Sequence, residues 1–223
     1  MNWITESVKR SNILKDHYKM HEIDIFIKDP LPKEINTDLV FTAVSKMVPS
    51  HLLGGVDIIY VGSFEVFKEK DTTAMYQDNA IYVSNNQSSD EDMIDDIIHE
   101  IAHSIEEMFY EKIYSDNTLE REFLGKRQRL YDRLKQYDYD PPANFNKDPY
   151  HSDEVDMYLY KGVGYETLWN LVVDLFPSPY SVTSLREYFA MGFEYYFMKS
   201  KFELKNVSPV LFSKLESLEY MED

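Results

Sequence analysis

Apolar positions along the chain fall into two periods, and these sort the elements. Ile23 to Ile27 and Val56 to Val61, the latter after Gly54-Gly55, are short β-like runs bounded by turn residues. Phe64 to Phe67 and Met75 to Asn85 read as further strands, with Asp78-Asn79 as a hairpin turn. A 3.6-residue period governs the remainder. Met1 to Lys19 is compatible with an amphipathic helix. Ile35, Leu39, Val40, Ala43, Val44 and Met47 share one helical face that ends before Pro49.

The strongest helical pattern is Met93, Ile94, Ile97, Ile98, Ile101, Ala102, Ile105 and Met108. It is preceded by Ser88-Ser89-Asp90-Glu91, a capping side chain followed by acids that suit the positive end of a helix dipole. Thr118 to Tyr137, Tyr165 to Phe176, Ser184 to Phe197 and Pro209 to Tyr220 are expected to be helices, and Asp138 to Pro149 an irregular loop. Strands before helices predict an α+β fold: a small mixed sheet on a central helix, then a mostly helical C-terminal half. At 223 residues the expectation is one domain, 1–223, with a helical and loop insertion at about 114–156.

Composition narrows the chemistry. With no cysteine, any metal must sit on His, Asp, Glu or water, and zinc fingers and cysteine proteases are excluded. Forty acidic against 23 basic side chains give a net charge of −17, which repels nucleic acid and would attract basic peptides. No stretch approaches the ~20 apolar residues of a membrane span, and Met1 to Lys19 lacks the apolar core of a secretory signal. A cytoplasmic protein is expected, or a virus-encoded one, or one delivered by a non-Sec route. Lys126, Arg127, Arg129, Arg133 and Lys135 cluster on one helix and read as a solvated face paired with local acids, or as a dock for a partner.

The central helix carries His99-Glu100-Ile101-Ala102-His103, of the form H-E-x-x-H. Histidines at i and i+4 lie one turn apart on one face, where both imidazoles can reach a single zinc ion, Zn2+. Glu100 is placed beside them to take a proton from water and return it to a leaving amine. A catalytic zinc site needs a third protein ligand, and no histidine closely follows His103. His17 and His21 share the i, i+4 spacing without the acid between them, and His151 reads as a surface residue. Glu187 is the better third ligand: an acid in the apolar, aromatic run Leu185-Arg186-Glu187-Tyr188-Phe189-Ala190, where an unpaired charge would be costly to bury. The alternative for Glu187 is pairing with Arg186 or a tyrosine.

His99-Glu100-x-x-His103, Tyr180, and seven residues later Glu187-Tyr-Phe-Ala-Met-Gly-Phe193, together resemble a family of zinc peptidases with a glutamate third ligand. That family comprises the catalytic domain of anthrax lethal factor and the Pro-Pro endopeptidases. Ile81 to Asn85 leading into Asp95 to His99, and Leu204 to Pro209 with Phe212, add to the likeness. It covers about 56–218, with 1–55 weakly matched. The resemblance implies a zincin-like fold and a metalloendopeptidase in which His99, His103 and Glu187 hold zinc and Glu100 is the general base. It also implies that Tyr180 donates its phenol to the oxyanion. Two features depart from the family: Met191 stands where a second acid often follows the ligand glutamate, and the stretch between His103 and Tyr180 is long.

The expected substrates are peptides or proteins, basic by charge or proline-containing by analogy. Ile81 to Asn85 is the expected edge strand onto which an extended peptide could add. The alternative is a binding or structural protein, viral or toxin-related, that keeps the peptidase fold but cleaves nothing or only itself. Oligomeric state is not legible.

Overall fold

The computed structural model describes residues 16–70 and 72–221. The chain divides into two compact units, one running up to Ile105 and one starting at Glu106. The architecture is mixed α+β, with a five-stranded mixed sheet among the described residues and a helical C-terminal half.

In the first unit the sheet is built from β1 (Asp16–Met20), β2 (Ile23–Ile27), β3 (Ile58–Gly62), β4 (Ala74–Gln77) and β5 (Ala80–Ser84), in the order β1-β2-β3-β5-β4. β2, β3 and β5 run parallel, and β1 and β4 close the two sides as antiparallel hairpin partners. Alternation sets the faces. Ile23, Ile25, Ile27, Ile59, Val61, Ile81 and Val83 are buried. On the opposite face the register partners His17, Phe26, Tyr60 and Tyr82 form an aromatic row, with ring centroids 4.8, 5.9 and 5.5 Å apart. Helix α1 (Thr37–Met47), capped by the Asn36 side chain, connects β2 to β3 together with a 3-10 turn, Ser50–Leu53.

Four expectations change here. The N-terminal helix lies outside the described residues up to position 15, and Asp16 to Lys19 are strand. His17 is therefore on β1, bonded to Asp24, and His21 is in the hairpin turn, bonded to Ser45, so the two do not form a helical pair. Phe64 to Phe67 is not a strand: helix α2 (Glu65–Lys70) starts there, and Phe64 and Phe67 meet edge to face at the three-residue spacing of a helix. Three apolar positions in four residues fit either period, so the pattern alone could not decide it. The expected edge strand, 81–85, is interior. Asp78 and Asn79 both have positive φ, 51° and 58°, the backbone of a tight two-residue hairpin loop, which folds β4 onto the outer side of β5. Burial also narrows the α1 face to Val40, Phe41 and Val44, leaving Leu39 and Met47 exposed.

Helix α3 (Asp90–Met108) follows β5. Helices α4 (Tyr110–Tyr114), α5 (Thr118–Gln136), α6 (Asp153–Met157), α7 (Tyr165–Val172), α8 (Leu185–Met198), α9 (Lys201–Val207) and α10 (Pro209–Glu219) make the second unit. A π-helical stretch, Tyr158–Val163, and a 3-10 turn, Tyr180–Val182, complete it. The 114–156 stretch supplies core: Leu119, Phe123, Leu130, Leu134 and Phe145 are fully buried, and Phe123 packs on Tyr188 and Phe176. Glu122 of α5 accepts hydrogen bonds from Tyr188 Oη and from the backbone N–H groups of Val210 and Leu211. It thus serves the open N-terminus of α10, whose Ser208 makes no side-chain cap. Gly192 permits close approach to α10: a Cβ there would lie 2.9 Å from Leu211 Cγ. Among the described residues no helix is long and apolar enough to cross a membrane.

Candidate metal centre

Ser89 caps α3, its hydroxyl accepting from the Asp92 N–H, and Asp90, Glu91 and Asp92 fill the first turn. Asp96 then ties the helix to the sheet region, accepting from Thr73 Oγ1 at 3.0 Å and from Gln87 Nε2 at 2.9 Å. Gln87 also donates to the Ser84 carbonyl at the end of β5. Burial raises the Asp96 carboxyl above its ordinary value, a shift the two hydrogen bonds and the nearby His99 oppose. With the early turns fixed, Ile94, Ile97, Ile98 and Ile101 face the core, and His99 and His103 emerge on the next strip of the helix. Their rings are 5.0 Å apart and nearly perpendicular. His103 and Glu100 are only 7% and 6% exposed.

Glu187 occupies the first turn of α8. Ser184 caps that helix, accepting from the Glu187 N–H at 3.1 Å. The chain leading into it is held by Arg127, which donates to the carbonyls of Phe145, Asp148, Val182 and Thr183. Lys126 likewise donates to the carbonyls of Leu175 and Val207 and to Ser208 Oγ. These two side chains are 0% and 1% exposed, so Lys126 and Arg127 do not belong to a solvated face. Burial lowers the Lys126 ammonium to about 8 and the Arg127 guanidinium to about 10. The signal was in the sequence: Leu119, Phe123, Lys126, Arg127, Leu130 and Leu134 follow one helical stripe. Arg133 and Lys135, by contrast, do pair with local acids, Asp174 and Asp140.

Tyr180 opens the 3-10 turn just before α8 and is 43% exposed. Thr183 Oγ1 donates to its carbonyl at 2.9 Å. His151 is exposed and bonded to Asp153.

The structure brings His99, His103 and Glu187 together: one ligand atom from each lies within 4.8 Å of the others. Two imidazole nitrogens and a carboxylate oxygen make a donor set that could hold a metal ion.

The sequence reading missed Glu106, on the last turn of α3. It is 7% exposed, accepts a hydrogen bond from Tyr114 Oη, and pairs with Arg186. Burial, with the Glu106 charge next, pushes the Tyr114 phenol well above its ordinary value. The only local signal was an acid at the end of a buried stripe. Comparison with protein-family models, with curated proteins and with solved structures yields no significant match.

Proposed function

We propose that this protein is a zinc-dependent endopeptidase with a zincin-like active site of the lethal-factor and Pro-Pro endopeptidase kind. The observation that carries the reading is the convergence of His99, His103 and Glu187 within 4.8 Å. Three protein ligands of N and O type are what a catalytic zinc takes, leaving a further position for water or substrate. Zinc bound there would supply a Lewis acid that polarises the scissile carbonyl and makes water more acidic.

The remaining work falls to side chains of this chain. Glu100, in the turn between the two histidines and largely shielded from solvent, takes the proton from the attacking water and passes it to the leaving amine. Tyr180 donates its hydroxyl to the carbonyl oxygen as negative charge builds on it. The reaction breaks one peptide bond by adding one water, with no covalent enzyme intermediate. Basic or proline-containing peptides are the proposed substrates.

The deciding experiment measures metal content and cleavage of a degenerate peptide library for the purified protein and for Glu100→Ala. One zinc per chain in both, with cleavage by the unsubstituted protein alone, is the expected result. Zinc in both without cleavage in either would turn the reading toward a non-catalytic binding protein. No zinc in either would overturn it.

A further inference from the structure

Glu106 lies three residues beyond His103 on α3, so the two share a helix and are about one turn apart. Its carboxylate is 7% exposed, and a carboxylate so buried persists only when charge and hydrogen bonds compensate it. Both are present. Tyr114, the last residue of α4, donates its phenol to Glu106 Oε1. Arg186 Nε sits 3.5 Å from Glu106 Oε2. Arg186 is the chain neighbour of Glu187, in the first turn of α8. One carboxylate therefore ties together the end of the histidine helix, the end of α4 and the turn that carries the third ligand.

We infer that Glu106, Tyr114 and Arg186 position Glu187, holding the first turn of α8 at the end of the histidine helix so that the three ligand atoms keep the spacing a metal requires. The inference rests on the metal-centre reading above. It accounts for a buried acid that the proposed chemistry does not use. It also explains why Arg186, whose side chain is 59% exposed, points its Nε toward a buried partner. None of the three residues touches the metal or the substrate in this role; each acts through Glu187. Outer partners of this kind commonly change metal affinity by about 10- to 100-fold when removed.

The test is zinc affinity, measured by competition with a chromophoric chelator on the metal-free full chain. The variants are Arg186→Met, Arg186→Lys, Glu106→Gln and the double Glu106→Gln/Arg186→Met. Melting of each metal-free protein is followed in parallel. Arg186→Met is expected to weaken zinc binding about tenfold or more; metal-free melting should fall as Glu106 loses its cation, so affinities are compared at a temperature where every metal-free variant is folded. Arg186→Lys, which keeps the charge, should recover most of the loss. The double variant should be no worse than the more damaged single one, because the two residues act through one contact. If Glu106→Gln does not fold, the two Arg186 variants decide alone. Zinc affinity equal to the parent's in Arg186→Met, or additive losses in the double variant, would overturn the positioning role and leave the metal centre intact. A parent protein that binds no zinc would overturn the metal centre itself, and the inference with it.

Discussion

Tyr180 and Glu187 are seven residues apart and were found in different ways. Glu187 was legible because an acid in an aromatic, apolar helix needs a reason to be there, and His99 and His103 because i, i+4 spacing on a helix puts them on one face. Tyr180 is one of 18 tyrosines, and nothing in its own neighbourhood separates it from the rest; only the family resemblance pointed to it. Glu106 was legible only as an acid at the end of a buried stripe. The partner that gives it meaning, Arg186, is far away in sequence, and no local pattern encodes such a contact. For Tyr180 the proposed role makes a sharp prediction. Tyr180→Phe removes one donor and little volume, so bound zinc and folding should be unchanged. Peptide cleavage should fall about 100- to 1,000-fold in kcat, the usual cost of one oxyanion donor. A variant with undiminished kcat would remove Tyr180 from the chemistry.

Among the elements, helices with a long apolar period and a clear cap were legible. Examples are α3 behind Ser89 and α8 behind Ser184, where periodicity and capping agree. Short runs such as Phe64 to Phe67 were not, and neither was strand order, which depends on how the Asp78-Asn79 turn folds β4 back. Lys126 and Arg127 on α5 departed from the expected solvated face for a physical reason: charge pattern suggests a wet surface, yet four backbone carbonyls converge on Arg127 in the interior. Arg127→Met would leave those carbonyls without their donor, at about 1 to 3 kcal/mol for each that stays dry. Urea unfolding should show a loss above about 3 kcal/mol, and Arg127→Lys should recover little of it, since a single ammonium cannot span the fork. Arg133 offers a contrast at the other end of the helix. Its hydrogen bonds hold the Asp174 carboxyl below its ordinary value of 3.8. A depressed carboxyl binds fewer protons in the folded state than in the unfolded one. Its contribution is therefore complete above about pH 4 and is lost as the pH falls through the folded value. Asp174 is largely exposed, so the contribution is about 1 kcal/mol or less. Asp174→Asn should lower neutral stability by that amount and leave stability below the folded value nearly unchanged, so that the acid limb flattens by the same amount. An unchanged acid limb would show that the pair contributes nothing.

At the scale of the whole molecule the dominant feature is charge. A net −17 sets up a field that reaches beyond any single contact, and its range is fixed by salt: the Debye length is about 30 Å at 0.01 M and about 10 Å at 0.1 M. Such a field acts on encounter more than on chemistry. On the proposed reading it favours peptides that carry Lys or Arg on either side of the cleaved bond, through kcat/KM rather than kcat. The comparison that isolates this effect uses three peptides identical around the scissile bond, with flanks that are basic, neutral or acidic. As salt rises from 0.01 to 0.5 M, kcat/KM for the basic peptide should fall by about tenfold or more. The neutral peptide should change little, and the acidic one should improve as its repulsion is screened. Parallel salt curves for all three would mean that the acidity serves solubility alone, and that any preference for basic substrates must come from side chains in direct contact with the peptide.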